Sequence, residues 1–103
     1  MRADQVKAAD FARAHGLNMD PQIRFLDLSS ELGELSKELL KASGYGTAPI
    51  TAGPAMKEEL GDCVFSLLCL ADSLNLDAEA ALEGALEKYR KRFAEKQEIG
   101  SGA

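Results

Sequence analysis

Two acidic segments of the chain carry carboxylates at the spacing of side chains that share one face of a helix. An α-helix advances about 100° per residue, so acids three or four residues apart fall within one strip about 60° wide. The first strip consists of Asp27, Glu31, Glu34 and Glu38, and the second of Glu59 and Asp62. If the two helices pack antiparallel, the two acid strips can converge at one edge.

Acids at this spacing repel one another and cost stability unless a cation binds between them. Neither strip has a histidine among its members, and carboxylate oxygens suit a hard ion such as Mg²⁺ or Mn²⁺. The alternative is an ordinary solvated face, where acids point into water and bind nothing. The two interpretations differ in whether the strips meet in the folded chain.

The elements that must position these acids are helices, because strict alternation and β-branched residues are scarce whereas helical periodicity is strong. Asp20 and Asp77 are predicted N-caps, and Gly16 is predicted to stop the first helix. We expect helices over about 4–15, 21–42, 54–74 and 78–96. Residues 1–99 then form a single all-α domain, and residues 100–103 a disordered tail.

The predicted core of the second helix is a leucine stripe beside the acids, formed by Leu28, Leu32, Leu35 and Leu39. On the third helix, residues 63–70 are apolar nearly all round, and Phe65 and Leu68 lie outside its predicted core stripe. A chain of 103 residues also builds only a thin core of its own. We therefore expect a four-helix bundle-like protomer that is completed by oligomerisation, with the third helix at its centre.

Composition excludes several classes of partner. A net charge of −5 argues against bulk nucleic-acid binding and against an anionic membrane surface. The longest nearly apolar run, residues 63–71, is too short to span a bilayer. Cys63 and Cys69 point in different directions on one helix and cannot form a disulfide, which favours a reducing compartment, the cytoplasm. We therefore expect no nucleic acid and no membrane among the partners.

Three segments resemble a known family. Residues 31–35 (ELGEL) and 58–62 (EELGD) are similar to the paired acidic motifs of the MazG-like all-α nucleotide pyrophosphohydrolases. Residues 88–93 (KYRKRF) are similar to the basic, aromatic end of the family's last helix. The resemblance runs over residues 26–93, most of the chain, and the joint presence of both acidic motifs with the basic motif makes it fairly specific.

The resemblance implies a helical bundle assembled as a homodimer or homotetramer. It also implies Mg²⁺-dependent cleavage of a nucleoside triphosphate between its α and β phosphates, giving a monophosphate and pyrophosphate. Carried over by position, Lys88 and Arg92 would meet the substrate phosphates. The metal ligands carried over in the same way are Glu31, Glu34, Glu59 and Asp62.

The chemistry of the residues agrees with this implication. An acidic pocket repels a triphosphate, so a metal ion must mediate its binding. A carboxylate that does not bind the metal can take the proton of the attacking water, and Glu34 and Glu38 are the candidates. Tyr45, in the loop before the third helix, is a candidate to stack on the base, although it could equally cover the core.

Two other functions stay open at this stage. A phosphoribosyl-ATP pyrophosphohydrolase would share the bundle and the acidic metal site, and only a substrate panel separates the two enzymes. A non-catalytic helical oligomerisation module would carry the same acids as surface decoration, and tight Mg²⁺ or Mn²⁺ binding would reject it. A di-iron bundle is disfavoured because its usual E-x-x-H ligands need a histidine, and none lies in helices two to four.

Overall fold

The computed structural model describes residues 1–98, which form four helices joined by turns. These are α1 (Arg2–Ala14), α2 (Pro21–Ala42), α3 (Pro54–Ser73) and α4 (Ala78–Glu98). The described part of the chain contains no strand, so the all-α prediction is confirmed. Within it, no helix combines the length and apolar character needed to cross a bilayer. The predicted tail, residues 100–103, lies outside the described residues.

Capping side chains set the helix boundaries. Asp20 Oδ1 accepts a hydrogen bond from the Gln22 amide at 2.8 Å, which satisfies one of the free N–H groups at the start of α2. Asp77 Oδ1 accepts from the Glu79 amide at 2.9 Å and begins α4 in the same way. Gly16 ends α1 at a φ of +67°, a left-handed conformation that glycine adopts without strain. All three predicted punctuation residues therefore act as expected.

The side of α2 that faces α3 carries members of both the acid strip and the leucine stripe. Glu31 and Glu38 are half-buried on it, and so are Leu28 and Leu35. Leu32, by contrast, is 51% exposed, and Leu39 is exposed as well. The prediction that all four leucines form the core of this pair is thus wrong in part, because α2 is rotated so that only Leu28 and Leu35 turn toward the rest of the chain.

Four of the apolar side chains left outside the hairpin lie on one side of it. On α3 they include Leu60, 54% exposed, and Leu67. On α2 they include Leu32 and Leu39. In an antiparallel pair these positions lie on the same side of the two helices. We call this surface the leucine face, and its members are Leu32, Leu39, Leu60 and Leu67.

Helix α1 covers a different side of α3. Ala9 and Ala12 are fully buried, and so is nearly all of Leu68. Phe65 is half-buried and meets the Phe11 ring edge to face, with the ring centroids 6.1 Å apart. Helix α1 of the same chain therefore covers Leu68 and part of Phe65, the two residues outside the predicted core stripe of α3.

Hydrogen bonds from α1 and from the turn before it fix the start of helix α4. The Gln5 side chain accepts from the Ala78 amide and donates to the Leu76 carbonyl, both at 2.8 Å. Every residue from 86 to 96 is exposed. The radius of gyration is 17.4 Å, whereas a compact chain of this length has about 13 Å. The accessible surface is 7363 Å², against about 5,600 Å² for a compact monomer of this mass. The single chain therefore leaves much apolar surface uncovered.

Candidate metal centre

Three carboxylates from two helices meet on the inward side of the α2–α3 hairpin. Glu31 of α2 and Glu59 and Asp62 of α3 each place one oxygen within 4.8 Å of the others. Glu31 and Glu59 are half-buried, and Asp62 is exposed. We call these three residues the carboxylate trio. The structure thus brings together three of the four side chains that were carried over as metal ligands.

The pKa values of Glu31 and Glu59 are raised by burial and by the negative charges around them. Burial raises the pKa of Glu31, and the nearby charges of Asp62, Asp27 and Glu34 raise it further. Burial also raises the pKa of Glu59, with Asp62 the largest of its charged neighbours. Glu31 and Glu59 are therefore harder to ionise than usual, first because they are partly buried and then because other negative charges lie close to them. A bound cation would reverse this penalty.

The trio fits a small divalent ion of the hard class. Its donors are all carboxylate oxygens, the ligands that Mg²⁺ and Mn²⁺ prefer. Metal–oxygen bonds of about 2.0–2.2 Å place neighbouring ligand oxygens roughly 3–4 Å apart. An oxygen separation of up to 4.8 Å needs only a small side-chain adjustment to reach that geometry. The trio and its half-open side could therefore hold such an ion together with water or substrate oxygens.

Two of the three other acids of α2, Glu34 and Glu38, flank the trio without joining it. Glu34 is exposed and pairs with Lys37, Nζ to Oε2 at 3.8 Å. Glu38 pairs with Lys41, Nζ to Oε1 at 3.6 Å. Each lysine thus reaches an acid of the strip at i, i+3. Both lysines are exposed, and ion pairs near the surface contribute little energy, so both carboxylates can still exchange partners.

The basic and aromatic residues proposed for the substrate do not reach the trio within one chain. Lys88 and Arg92 lie on the exposed part of α4, over the ring of Tyr89, with Nζ 5.1 Å and Cζ 5.9 Å from its centroid. Within residues 1–98, α4 contacts α1 and α3 but not α2. Tyr45 lies in the turn after α2 at a φ of +58° and is largely exposed.

One charged residue on α2 lies outside the acidic and basic motifs. Arg24 is buried on the inward line of α2, about two turns before Glu31. It forms an ion pair with Asp27, which belongs to the acid strip. Its position on the acid-bearing line of the helix was the signal that could have identified it.

Metal affinity should fall as the pH is lowered from about 7 to about 5, because protons compete for Glu31 and Glu59, whose pKa values are raised. The metal-free fold responds in the opposite sense. These two groups favour folding when protonated, and their contribution is lost as the pH rises through their raised pKa values. Mn²⁺ titrations followed by electron paramagnetic resonance, with thermal melts in chelator, measure both effects. Equal Mn²⁺ affinity at the two pH values would contradict the assignment of these ligands.

Comparison with known proteins identifies a family whose model covers most of the chain. The model of the MazG nucleotide pyrophosphohydrolase domain matches residues 21–95. The chain is 40% identical over 68 residues to the protein YpjD of Bacillus subtilis, a match covering 63% of this chain and 60% of that protein. It is 41% identical over 44 residues to the nucleoside triphosphate pyrophosphohydrolase/pyrophosphatase MazG of Thermotoga maritima, covering 43% of this chain and 17% of that protein.

A solved structure is similar along most of its length. The crystal structure of the Bacillus-conserved MazG protein, a nucleotide pyrophosphohydrolase, superposes with a TM-score of 0.70 at 28% identity. The match covers 86% of this chain and 88% of that one. The residues matched by the family model include the carboxylate trio, its flanking acids and the basic residues of α4. The chain belongs to the MazG nucleotide pyrophosphohydrolase domain family.

Proposed function

We propose that this protein hydrolyses a nucleoside or deoxynucleoside triphosphate to the monophosphate and pyrophosphate, with Mg²⁺ or Mn²⁺ held at the carboxylate trio. The observation that carries the proposal is the trio itself, three carboxylates from two helices within 4.8 Å of one another. Membership of the MazG domain family supports the reaction class. Glu34, one turn after Glu31 on α2, is the fourth ligand we propose.

The residues of the chain would divide the chemistry as follows. A bound Mg²⁺ supplies positive charge that offsets the charge of the phosphate oxygens. Glu31, Glu59 and Asp62 hold that charge in place. Of Glu34 and Glu38, the one that stays off the metal accepts the proton of the attacking water. Because each is paired only with an exposed lysine, either is free to take this role.

We further propose that the working enzyme is a homodimer or homotetramer. The leucine face is exposed, and so is an apolar stripe on α4 that includes Leu82, Tyr89 and Phe93. Lys88 and Arg92 stand beside that stripe, so packing of α4 in the assembly would bring them toward an acidic surface of opposite charge. There they would bind the departing phosphates. Tyr45 is kept as the proposed base-stacking residue.

The cysteines bear on where the protein works. Cys63 and Cys69 are both free and buried. Burial raises the pKa of each thiol, which keeps it protonated and poorly reactive. Two structural thiols of this kind suit a reducing compartment, so we propose a cytoplasmic location.

A substrate panel tests the proposed reaction. Canonical and modified triphosphates are incubated with the protein and Mg²⁺ or chelator, and phosphoribosyl-ATP is included as the competing substrate. We expect metal-dependent turnover of at least one triphosphate and none of phosphoribosyl-ATP. Preferential turnover of phosphoribosyl-ATP would reassign the enzyme. Absence of both turnover and Mn²⁺ binding would favour the non-catalytic helical module.

A further inference from the structure

Arg24 is the only charged side chain buried among the residues whose burial is described, 1–96. It is 5% exposed and lies on the inward line of α2. Its Nη2 forms an ion pair with Asp27 Oδ2, and the two atoms are 2.8 Å apart. Its Nε is also buried, and no group in the described chain accepts a hydrogen bond from it. Arg24 is therefore held inside the protein by one incomplete ion pair.

Stability does not explain this arrangement. Asp27 is 54% exposed, so solvent weakens the attraction that would offset the burial of the guanidinium. An unsatisfied buried N–H adds to the cost. Apolar residues of similar volume often replace a buried ion pair with no loss of stability, or with a gain. A residue kept at such a cost is better explained by what it does to its neighbours.

The neighbour of the ion pair is the carboxylate trio. Asp27 lies four residues before Glu31 on α2, and side chains at this spacing are adjacent on a helix surface. The ion pair with Arg24 therefore fixes a carboxylate that is adjacent to Glu31 on the surface of α2.

We propose that Arg24 is a positioning residue for the metal centre. Arg24 holds Asp27 beside Glu31, where Asp27 would accept a hydrogen bond from water on a bound ion. Mg²⁺ keeps several of its waters when it binds to proteins, so acceptors around the ligands orient those waters. Loss of such an outer partner typically lowers metal affinity by about 10–100-fold. The inference rests on the proposed function, because it presupposes a metal at the trio.

Substitution of Arg24 distinguishes a positioning role from a purely electrostatic effect of its charge on metal affinity. Removal of a positive charge beside an acidic centre should tighten metal binding if only charge matters. If Arg24 positions Asp27, Arg24→Met should instead weaken Mn²⁺ binding by about tenfold or more. The same variant, melted without metal, should unfold at the wild-type temperature or above it. Arg24→Lys, which keeps the charge but not the planar donor, should recover part of the affinity.

Asp27→Asn supplies the second half of the test and keeps it decisive if Arg24→Met does not fold. We expect it to weaken Mn²⁺ binding about as much as Arg24→Met does, and the double variant to bind no more weakly than either single one. Glu58→Gln, which removes one exposed charge from α3 outside the trio, should bind Mn²⁺ nearly as the wild type does. Unchanged binding in Asp27→Asn, or tighter binding in Arg24→Met, would overturn the inference. A wild-type protein that binds no Mn²⁺ would instead overturn the metal centre itself.

Discussion

Replacement of Glu59 by glutamine should lower triphosphate turnover by a hundredfold or more while the fold survives. Glu59 belongs to the carboxylate trio, and glutamine has nearly the same volume but no charge to offer a cation. A hundredfold loss corresponds to about 2.7 kcal/mol of barrier. Because the trio is strained by repulsion, the metal-free variant should melt at or above the wild-type temperature. Initial rates with Mg²⁺, together with circular dichroism melts, measure both effects.

The adjacent residue provides a matched control. Glu58→Gln removes the same charge from the same turn of α3, but Glu58 is exposed and is not part of the trio. Its turnover should stay within a few-fold of wild type. If Glu59→Gln keeps full activity, or if both variants lose activity equally, the trio is not the reacting centre.

Introducing a charge at Phe93 should dissociate the oligomer. Phe93 is 61% exposed in the single chain and belongs to the apolar stripe of α4. Burying a phenylalanine contributes about 1.5–3 kcal/mol, and a symmetric interface contains the residue twice. Phe93→Glu should therefore weaken a dimer by roughly 10²–10⁴-fold in dissociation constant. Light scattering over a range of micromolar concentrations measures the change.

Ala94→Glu is the control for this substitution. Ala94 is the next residue along α4 and points about 100° away from Phe93, away from the apolar stripe. Its oligomeric state should match that of the wild type. Wild-type protein that is monomeric at micromolar concentration would contradict the proposed assembly, whatever the two variants do. If the assembly also brings Lys88 and Arg92 to the trio, Phe93→Glu should lose most of its activity as well.

The helices could be predicted from sequence because each has a local cause. Asp20 and Asp77 cap the starts of α2 and α4, Gly16 ends α1 with a positive φ, and apolar residues recur at the helical period. The rotation of α2 could not be predicted in the same way. The leucine stripe and the acid strip are neighbours on the helix surface, and periodicity does not say which members of each turn toward α3. The pattern suited all four leucines, but Leu32 and Leu39 are left outside the hairpin.

The site was only partly accessible to the same reasoning. Shared helix faces and the acidic motifs identified Glu31, Glu59 and Asp62, since their spacing fixes where they point. The burial of Arg24 was not predicted, because an arginine three residues before an aspartate on a helix is typical of an ion pair at the surface. The approach of Lys88 and Arg92 to the trio depends on contacts between chains, which one sequence does not encode locally.

The most direct test of the central claim is ³¹P nuclear magnetic resonance of the products formed from the best triphosphate substrate with Mg²⁺. The proposed reaction breaks the bond between the α and β phosphates. The spectrum should therefore gain the signals of a nucleoside monophosphate and of pyrophosphate in equal amounts, from the first time point onward. A nucleoside diphosphate with inorganic phosphate as the first products would contradict the account.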